Sequence, residues 1–438
     1  MNAQQGDEAP RHVPTMRLRG VPAAMALISA TVLELGRQSG VPAWNSLWAE
    51  DGMIFLSGAL NESFHKALFE PYNGYMLLVP RVAAEIVALF PLSEAAWITA
   101  FIASSLVASV AVFVYYASSV AFSHRAPRAT LSAGIVLLPT AAFETTANLA
   151  NVHWYLVFAC FWALVSPRAS LGALTVRTAF AVAAPLTNPM AGLLTPLVLF
   201  RWGDRTSRLE AVPRIGFLAG LATQAVVVLR APADSPDAVT TPFNLADLPP
   251  ILAVRVAEAF FVGDRFLEPI DRGLGTASQL GAVVLLGVVI AYAVRRLDRR
   301  RRMFALVAGT AAAAYFVVPL AIRGTSEIWP AAGPPNLGGS RYFVLPILFL
   351  FVVFLLGVDA SLDAPRTEAR NFWLYGTALW LTSLAFLNYS ITNPRSTGPE
   401  WRMSLRQAQQ SCRADRVTFV DVGIAPGGTW FVRAPCER

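Results

Sequence analysis

The stretch Tyr342-Phe-Val-Leu-Pro-Ile-Leu-Phe-Leu-Phe-Val-Val-Phe-Leu-Leu-Gly-Val358 contains no charged side chain. As a helix it can cross a hydrocarbon layer about 30 Å thick, which takes about 17 to 25 residues. The rest of the chain has the same character: 55% of its 438 residues are hydrophobic, only 14% are charged, and the mean hydropathy is +0.50. This composition excludes an ordinary soluble domain and predicts a polytopic membrane protein.

About eleven apolar runs of this kind follow one another, and they predict an all-α bundle of transmembrane helices. They lie near residues 21–36, 96–121, 130–147, 152–166, 171–187, 189–201, 213–230, 276–294, 303–322, 342–358 and 371–388. The first run is too long and begins too far from the N-terminus for a secretory signal peptide, and no small-residue cleavage site follows it. We therefore expect it to remain as an anchor.

Arginines set the predicted orientation, because loops rich in Arg or Lys stay on the cytoplasmic side during insertion. Basic residues precede the first run and recur in the short loops between later runs, most densely from Arg295 to Arg302. All these loops share one side if 76–92, which carries Arg81 and Glu85 at helical spacing, is an interfacial helix and not a span. The sequence thus predicts a multi-pass protein of the cytoplasmic (inner) membrane with its N-terminus inside and its C-terminus outside.

The same loops account for the net charge of +7 and the isoelectric point near 9.7. Short arginine-rich loops contact anionic headgroups, so we expect membrane lipids and no nucleic acid as partners. In this organisation a cytoplasmic tail, a transmembrane domain and an outer C-terminal segment follow one another, and the transmembrane domain has two long outer loops. The three regions are 1–20, 21–388 and 389–438, and the outer loops are 37–95 and 231–275.

The outer C-terminal segment is polar, and its pattern predicts one amphipathic helix followed by two short strands. Cys412 and Cys436 both lie in it, and an oxidising outer compartment permits a disulfide between them. A segment this short needs the bridge and a docking surface in order to fold. Cys160 lies within an apolar run, where we expect it to act as a small packing residue.

Polar residues that are candidates for chemistry or binding gather on the predicted outer side. The acidic pair Glu50-Asp51 follows the first run within the aromatic stretch 44–55. The remaining candidates are Tyr72, Asn73, Tyr75, Arg81, Glu144, Asn151, His153, Arg341 and Tyr342. A carboxylate can act as general base on an acceptor hydroxyl or amine, while an arginine neutralises a phosphate leaving group. The chain has no Gly-rich phosphate loop, dinucleotide-binding fingerprint or Walker lysine, so we expect a lipid-phosphate sugar as donor.

Over most of the chain these features resemble the C-type (GT-C) membrane glycosyltransferases. The resemblance rests on the acidic pair in the first outer loop, the interfacial helix behind it, the many spans, and Gly339-Ser-Arg341-Tyr342-Phe-Val-Leu-Pro346 at the start of a late span. It implies a polyprenyl-phosphate sugar donor and a cell-envelope glycan or lipid acceptor. It also implies Asp51 as catalytic base, Glu50 as its partner or alternate, and Arg341 facing the phosphate. The chain lacks the Trp-Trp-Asp motif of oligosaccharyltransferases, so the sugar and the acceptor stay open.

Each candidate also has a purely structural interpretation. Asp51 is a residue type that caps helices, Tyr72–Tyr75 fits a tight Asn-Gly turn, Arg341 can extend to the membrane surface, and a lone interfacial histidine such as His153 is usually structural. A metal site built from Asp51, His153 and Glu144 fits no sequence-local ligand spacing. No metal is assigned, and the cofactor requirement stays open.

The main alternative function is a transporter or flippase of lipid-linked glycans, and a second is a subunit that binds such lipids without catalysis. Transporters place charges along an intramembrane pathway and contain repeated, broken helices, whereas this sequence has no internal repeat and few mid-span charges. Three further expectations concern the backbone: a re-entrant turn at Asn188-Pro189, an amphipathic helix at 249–261 on the membrane surface, and a lid formed by 324–340.

Overall fold

The computed structural model describes residues 20–166, 170–199, 208–230, 242–326, 328–329, 338–415 and 417–436, and these are mainly helical. The helices of the first half are α1 (Gly20–Leu35), α2 (Ser57–Asn61), α3 (Phe64–Phe69), α4 (Leu78–Ala88), α5 (Ala95–Ala117), α6 (Arg125–Val136), α7 (Ala142–Thr145), α8 (Val152–Val165), α9 (Leu171–Thr187) and α10 (Thr195–Leu199). The helices of the second half are α11 (Val212–Arg230), α12 (Leu248–Ile251), α13 (Ala259–Val262), α14 (Asp264–Leu274), α15 (Thr276–Arg295), α16 (Arg299–Arg323), α17 (Val344–Asp363), α18 (Glu368–Leu387) and α19 (Trp401–Asp415). The predicted cytoplasmic tail, apart from Gly20, and most of the predicted lid lie outside the described residues.

Among the described residues, five helical segments are long and apolar enough to cross a membrane. They are Leu92–Val120, Leu209–Arg230, Thr276–Arg295, Arg299–Arg323 and Ser340–Asp363. Shorter apolar helices occupy Gly20–Leu35, Val152–Val165, Leu171–Thr187 and Pro189–Val198. These segments support the prediction of a helical membrane protein, while the number of spans beyond them rests on the sequence.

The predicted run 130–147 is wrong in its second half. Helix α6 ends at Val136, and a non-helical stretch follows before α7 begins at Ala142. Pro139 lies in that stretch; it has no backbone N–H to donate, and it disfavours helical geometry at the residue before it. The apolar run therefore extends beyond Val136, where the helix ends.

Helices α8 and α17 form the centre of the bundle, and α15 lies at its periphery. Every residue of α8 is buried, and 94% of the apolar window in Ser340–Asp363 is buried, against 6% in Thr276–Arg295. Peripheral apolar side chains such as Val284 and Leu379 are 65% and 70% exposed. A surface this apolar is unfavourable in water, which indicates that the outward faces of these helices contact lipid.

A buried arginine closes one end of the bundle, which we call the Arg37 end. Arg37 is 1% exposed and donates to the carbonyls of Val136 and Leu138 at 2.8 Å each. Buried carbonyl groups need hydrogen-bond donors, so these contacts hold the end of α1 against the end of α6. The sequence predicts that this end faces outward.

A second arginine closes the opposite end, which we call the Arg301 end. Arg301 donates to Asp359 at 2.6 Å and to Asp363 at 2.7 Å, which joins α16 to α17. His124 contacts the same two carboxylates, and the three acidic and imidazole groups offer atoms within 4.8 Å of one another, a spacing that a metal ion could use. The guanidinium of Arg301 already pairs with both carboxylates, so the cluster serves as an ion-pair network between helices.

The C-terminal segment has the predicted form: α19 is followed by the antiparallel strands β1 (Phe419–Gly423) and β2 (Phe431–Pro435). The predicted disulfide between Cys412 and Cys436 is present and joins α19 to the end of β2. The hairpin docks on the first loop, since the N–H of Ala49 donates to the carbonyl of Ala425 at 2.7 Å. The segment is thus held at the Arg37 end.

One local expectation is wrong. The segment 249–261 does not lie on the surface, since most of its apolar side chains, including Val254 and Phe260, are in the main core, although Leu252 is 40% exposed. An amphipathic pattern cannot tell a face that meets lipid from one that meets protein. In α4, Arg81 donates to the carbonyl of Ala67 at 2.6 Å and makes no ion pair with Glu85. The exposed face of α4 is apolar, as expected of a helix at a membrane interface.

The disulfide predicts a measurable loss when it is removed. In a Cys412→Ser/Cys436→Ser variant we expect the C-terminal segment to lose about 2–5 kcal/mol of stability, because its unfolded state is no longer cross-linked. Limited proteolysis of the purified protein should then cleave between α19 and β2 much faster than in the wild type. Cys160→Ala, which leaves the bridge intact, is the control. Equal cleavage of the wild type and the double variant would show that the bridge does not stabilise the segment.

Candidate functional site

A cavity of about 520 Å³ opens at the Arg37 end, where several helices begin or end. Its walls come from the first loop, the start of α8, the turn after α9, the end of α11, the end of α16 and the start of α17. Eight of the predicted site residues line it. They are Glu50, Tyr72, Asn73, Tyr75, Asn151, His153, Arg341 and Tyr342. The structure therefore brings together residues that lie up to about 290 positions apart in the sequence, whereas Asp51, Arg81 and Glu144 do not line the cavity.

The predicted break at Asn188-Pro189 forms one wall. Helix α9 ends at Thr187, and the side-chain oxygen of Asn188 accepts the N–H of Met190 at 2.9 Å, which caps the following 3-10 turn Pro189–Leu194. This fixes the orientation of the amide, so its NH₂ group donates to Nδ1 of His153 at 2.7 Å. The imidazole then carries its proton on Nε2, which leaves an N–H donor for a ligand in the cavity.

The predicted Asn-Gly turn forms a second wall. Tyr72 and Tyr75 exchange backbone hydrogen bonds of 2.9 and 3.2 Å, and Asn73 and Gly74 have φ values of 53° and 77°. Positive φ at both central residues is the requirement of a type I′ turn, which Asn-Gly satisfies best. The turn presents both tyrosines to the cavity, and Tyr72 packs edge-on against Phe55 at 6.5 Å.

Glu144 contacts the protein and not the cavity, which corrects its predicted role. One carboxylate oxygen accepts the N–H of Gly339 at 3.0 Å and Nη1 of Arg341 at 3.1 Å. The other accepts the N–H of Arg341 at 3.0 Å and the hydroxyl of Ser340 at 3.3 Å. Because the carboxylate holds both the backbone and the guanidinium of Arg341, Glu144 is a positioning residue.

The guanidinium of Arg341 is partly exposed to the cavity. Its carbon lies 5.0 Å from the ring centre of Tyr342, whose ring in turn meets Trp154 edge-on at 5.7 Å. The side chain of Arg341 retains 30% of its exposure, while its partner Glu144 retains 9%. The ion pair thus has a covered side toward the protein and an accessible side toward a ligand.

Asp51, the predicted base, is a structural residue. It is 2% exposed, and its two oxygens accept the N–H groups of Leu149 at 2.9 Å and Ala150 at 2.7 Å. Burial raises the pKa of Asp51 to about 7, although those two hydrogen bonds and the positive charge of Arg395 oppose the rise. Both oxygens are engaged and neither faces the cavity, so Asp51 is not placed to receive a proton from a ligand.

Glu50 is the acidic residue that lines the cavity. Its Oε2 is buried and has no hydrogen-bond partner among the described residues. Carboxylate oxygens of Glu34, Glu85 and Glu258 share this condition, but of the four acids only Glu50 lines the cavity, where its oxygen can accept a hydrogen bond or a proton from a ligand. The adjacent residues Glu50 and Asp51 therefore have opposite roles, the first directed to the cavity and the second to the backbone behind it.

The charged groups of the cavity are close enough to act on one hydroxyl. The pKa of Tyr75 is raised, mainly by burial. The positive charges of Arg323 and Arg341 lower this pKa, whereas Tyr342 and Glu50 raise it.

Arg323 lines the cavity but is not among the site residues that the sequence predicts. It directly follows the predicted run 303–322, on the side assigned to the outside. An arginine on that side is contrary to the rule that sets the topology, and this was the available signal.

Comparison with family models, with curated proteins and with solved structures finds no match to this chain. The function must therefore be argued from the geometry of the cavity.

The different surroundings of the two acidic neighbours predict opposite effects on stability. Asp51→Asn should lower the free energy of unfolding by about 1–3 kcal/mol, because the amide NH₂ cannot accept one of the two buried N–H groups. Glu50→Gln should be neutral within about 0.5 kcal/mol or stabilising, since it removes a charge whose buried Oε2 accepts no hydrogen bond from the described residues. Thermal unfolding of the purified variants in detergent measures both. Equal destabilisation by the two substitutions would contradict the assignment.

Proposed function

We propose that the chain is a membrane glycosyltransferase that transfers a sugar from a polyprenyl-phosphate donor to a cell-envelope acceptor in this cavity. The observation that carries the proposal is the unpartnered carboxylate oxygen of Glu50 in a cavity that also contains Arg323 and Arg341. A base and a phosphate-binding cation in one site are the two groups that such a transfer needs. The resemblance to the GT-C glycosyltransferases favours the same reaction, with the base moved from Asp51 to Glu50.

In the proposed reaction, Glu50, Arg341 and Glu144 each have a separate role. Glu50 takes the proton of an acceptor hydroxyl while the acceptor oxygen forms a bond to the anomeric carbon of the donor sugar. The bond between that carbon and the phosphate oxygen breaks, and the lipid phosphate leaves with the electron pair. Arg341 stabilises the charge that develops on the phosphate, and Glu144 holds Arg341 in place.

The apolar part of the cavity suits a lipid-linked donor. Leu193, Val228, Val318 and Ile322 line one side. Val228 and Ile322 are nevertheless 44% and 52% exposed, so the cavity is open toward the lipid-facing surface beside the ends of α11 and α16. A hydrocarbon chain can lie there while its phosphate reaches Arg323 and Arg341.

The remaining walls suit a sugar. Tyr72, Tyr75 and Tyr342 provide aromatic faces and hydroxyl groups, and Asn73 and His153 provide polar atoms. Aromatic surface and a few directed hydrogen-bond donors are what a polar ring with apolar faces requires.

We also propose the finer architecture that the sequence predicts: about eleven crossings, with the N-terminus inside and the Arg37 end outside. In this orientation the cavity faces a compartment that holds no nucleotide sugars, which agrees with a lipid-linked donor. The C-terminal segment, with its disulfide, then lies in an oxidising compartment.

The transporter alternative is less favoured by the position of the cavity. All of its lining residues belong to the Arg37 end, so within the part of the chain that the structure describes it gives access from one side. Transporter sites lie near the bilayer midplane between repeated halves, whereas this cavity lies at one end of the bundle. A subunit that only binds lipid-linked sugars would tolerate an amide in place of the Glu50 carboxylate.

The decisive experiment measures transfer of radiolabelled sugar from a panel of polyprenyl-phosphate sugars into acceptor-containing membranes. We expect Glu50→Gln to lower the rate by about 10²–10⁴-fold at matched protein levels, because the general base is lost. Glu62→Gln is the matched control, since Glu62 lies in the same loop but is exposed and pairs with Lys66. Full activity of Glu50→Gln would refute the base, and no transfer by the inserted wild type from any donor would favour the transporter.

A double-mutant cycle tests whether Glu144 acts through Arg341. Arg341→Gln and Glu144→Gln should each lower kcat/KM, and the double variant should be no worse than Arg341→Gln alone, because the two side chains act as one unit. Arg341→Lys should recover only part of the activity, since an ammonium cannot make two parallel contacts to phosphate. Additive losses would show that Glu144 has a separate role.

A further inference from the structure

A groove of about 720 Å³ lies between α1, α5 and α6, and it shares no residue with the cavity at the Arg37 end. Helices α1 and α6 both pack along α5, but they touch each other only briefly. The wall from α1 consists largely of small side chains, including Ala23, Ala26 and Ala30, which leave the space between the helices open. The volume is within the range of about 300–1,000 Å³ that is usual for small-ligand sites.

One end of the groove is strongly positive. Arg125 and Arg128 line it in the first turns of α6, at the Arg301 end of the bundle. Arg128 donates its Nε hydrogen to the carbonyl of His124 at 3.3 Å, and its guanidinium carbon lies 5.2 Å from the ring centre of Tyr115. These contacts direct the guanidinium while leaving its Nη groups without a hydrogen-bond partner among the described residues.

No nearby carboxylate neutralises these two arginines. The first turn of α6 contains no acidic residue, and Arg125 is exposed and has no ion pair within the described part of the chain. Asp359 and Asp363 lie beside His124, but both pair with Arg301, at 2.6 and 2.7 Å, and neither forms an ion pair with Arg125 or Arg128. The amino end of a helix is itself positive, so two arginines there repel it unless an anion is present.

The rest of the groove is apolar. Val112, Val136 and Leu137 line it, and the chain beside it is the lipid-facing part of α1, whose Met25 and Ile28 are 64% exposed. Apolar walls are poorly hydrated, so a small water-soluble anion would leave most of the groove unfilled. An anion attached to a hydrocarbon chain would pair with the basic end of the groove and fill its apolar part.

We infer that this groove binds one anionic phospholipid, with its phosphate on Arg125 and Arg128 and one acyl chain between α1, α5 and α6. Tyr115 and Tyr116 flank the headgroup position, as aromatic side chains do at a membrane interface. The acyl chain fills the gap between α1 and α6, so the lipid stabilises the packing of α1. This site does not depend on the reaction proposed for the cavity.

Native mass spectrometry and thermal unfolding of the detergent-solubilised protein test the inference. The probes are phosphatidylglycerol and phosphatidylcholine with the same acyl chains. We expect the wild type to retain one phosphatidylglycerol, and Arg125→Gln/Arg128→Gln to bind it about 30-fold more weakly, because each arginine near an anionic headgroup contributes about fivefold. Phosphatidylglycerol should raise the unfolding temperature of the wild type but not of this variant.

The matched control is Arg299→Gln/Arg302→Gln, which removes two exposed arginines from the first turn of another helix at the same end. If both double variants lost phosphatidylglycerol binding equally, the effect would come from general surface charge and the proposed site would be wrong. Retention of phosphatidylcholine as strong as that of phosphatidylglycerol would also overturn the site. Ala26→Trp should block the groove without changing charge, whereas Ala24→Trp, which does not line it, should bind like the wild type. Normal binding by Ala26→Trp would exclude an acyl chain in the groove, even if the arginine variant failed to fold.

Discussion

The arrangement of the Arg37 end depends on how its buried backbone groups are satisfied. Arg395 is 1% exposed, and its guanidinium donates to the carbonyls of Thr146 and Ala147 and to those of Ala43 and Ser46, at 2.9 to 3.1 Å. The loops that carry these carbonyls cannot all reach water, so without the arginine each would bury an unpaired acceptor. One side chain from the C-terminal segment thus joins the first loop to the loop before α8.

Asp51 completes this junction with the opposite charge. It accepts the amides of Leu149 and Ala150, just after the carbonyls that Arg395 binds. Burial lowers the pKa of Arg395 to about 10, and the charge of Asp51 opposes the change. Because the junction fixes residue 51 against the start of α8, it also fixes the direction of Glu50 and the position of His153. The acid that the sequence predicts as base, Asp51, therefore holds the loops of the site together, and its neighbour Glu50 faces the cavity.

The sequence predicts most where the cause is local. Apolar runs predict the central helices, Asn73-Gly74 predicts its turn, and the Cys412 and Cys436 pair predicts the bridge, because each depends on residues close by or on composition. It predicts less where a distant partner decides. Whether Glu50 or Asp51 faces the cavity depends on the amides of residues 149 and 150. The sequence of the first loop does not indicate that these amides lie beside it. The segment 249–261 is apolar on one face whether that face meets lipid or protein, so its burial in the core could not be predicted.

Close packing at Gly52 shows that the C-terminal segment is part of the site's foundation and not an appended unit. A Cβ added to Gly52 would collide with Ile424 and would lie 2.8 Å from a methyl group of Val432, and both neighbours are buried. The hairpin therefore requires glycine two residues after Glu50, while the first loop supplies the surface on which the hairpin folds. Each element is too small to be stable alone, and each contributes the contact that the other lacks. A change in either is consequently transmitted to the Glu50 carboxylate through a close-packed interface.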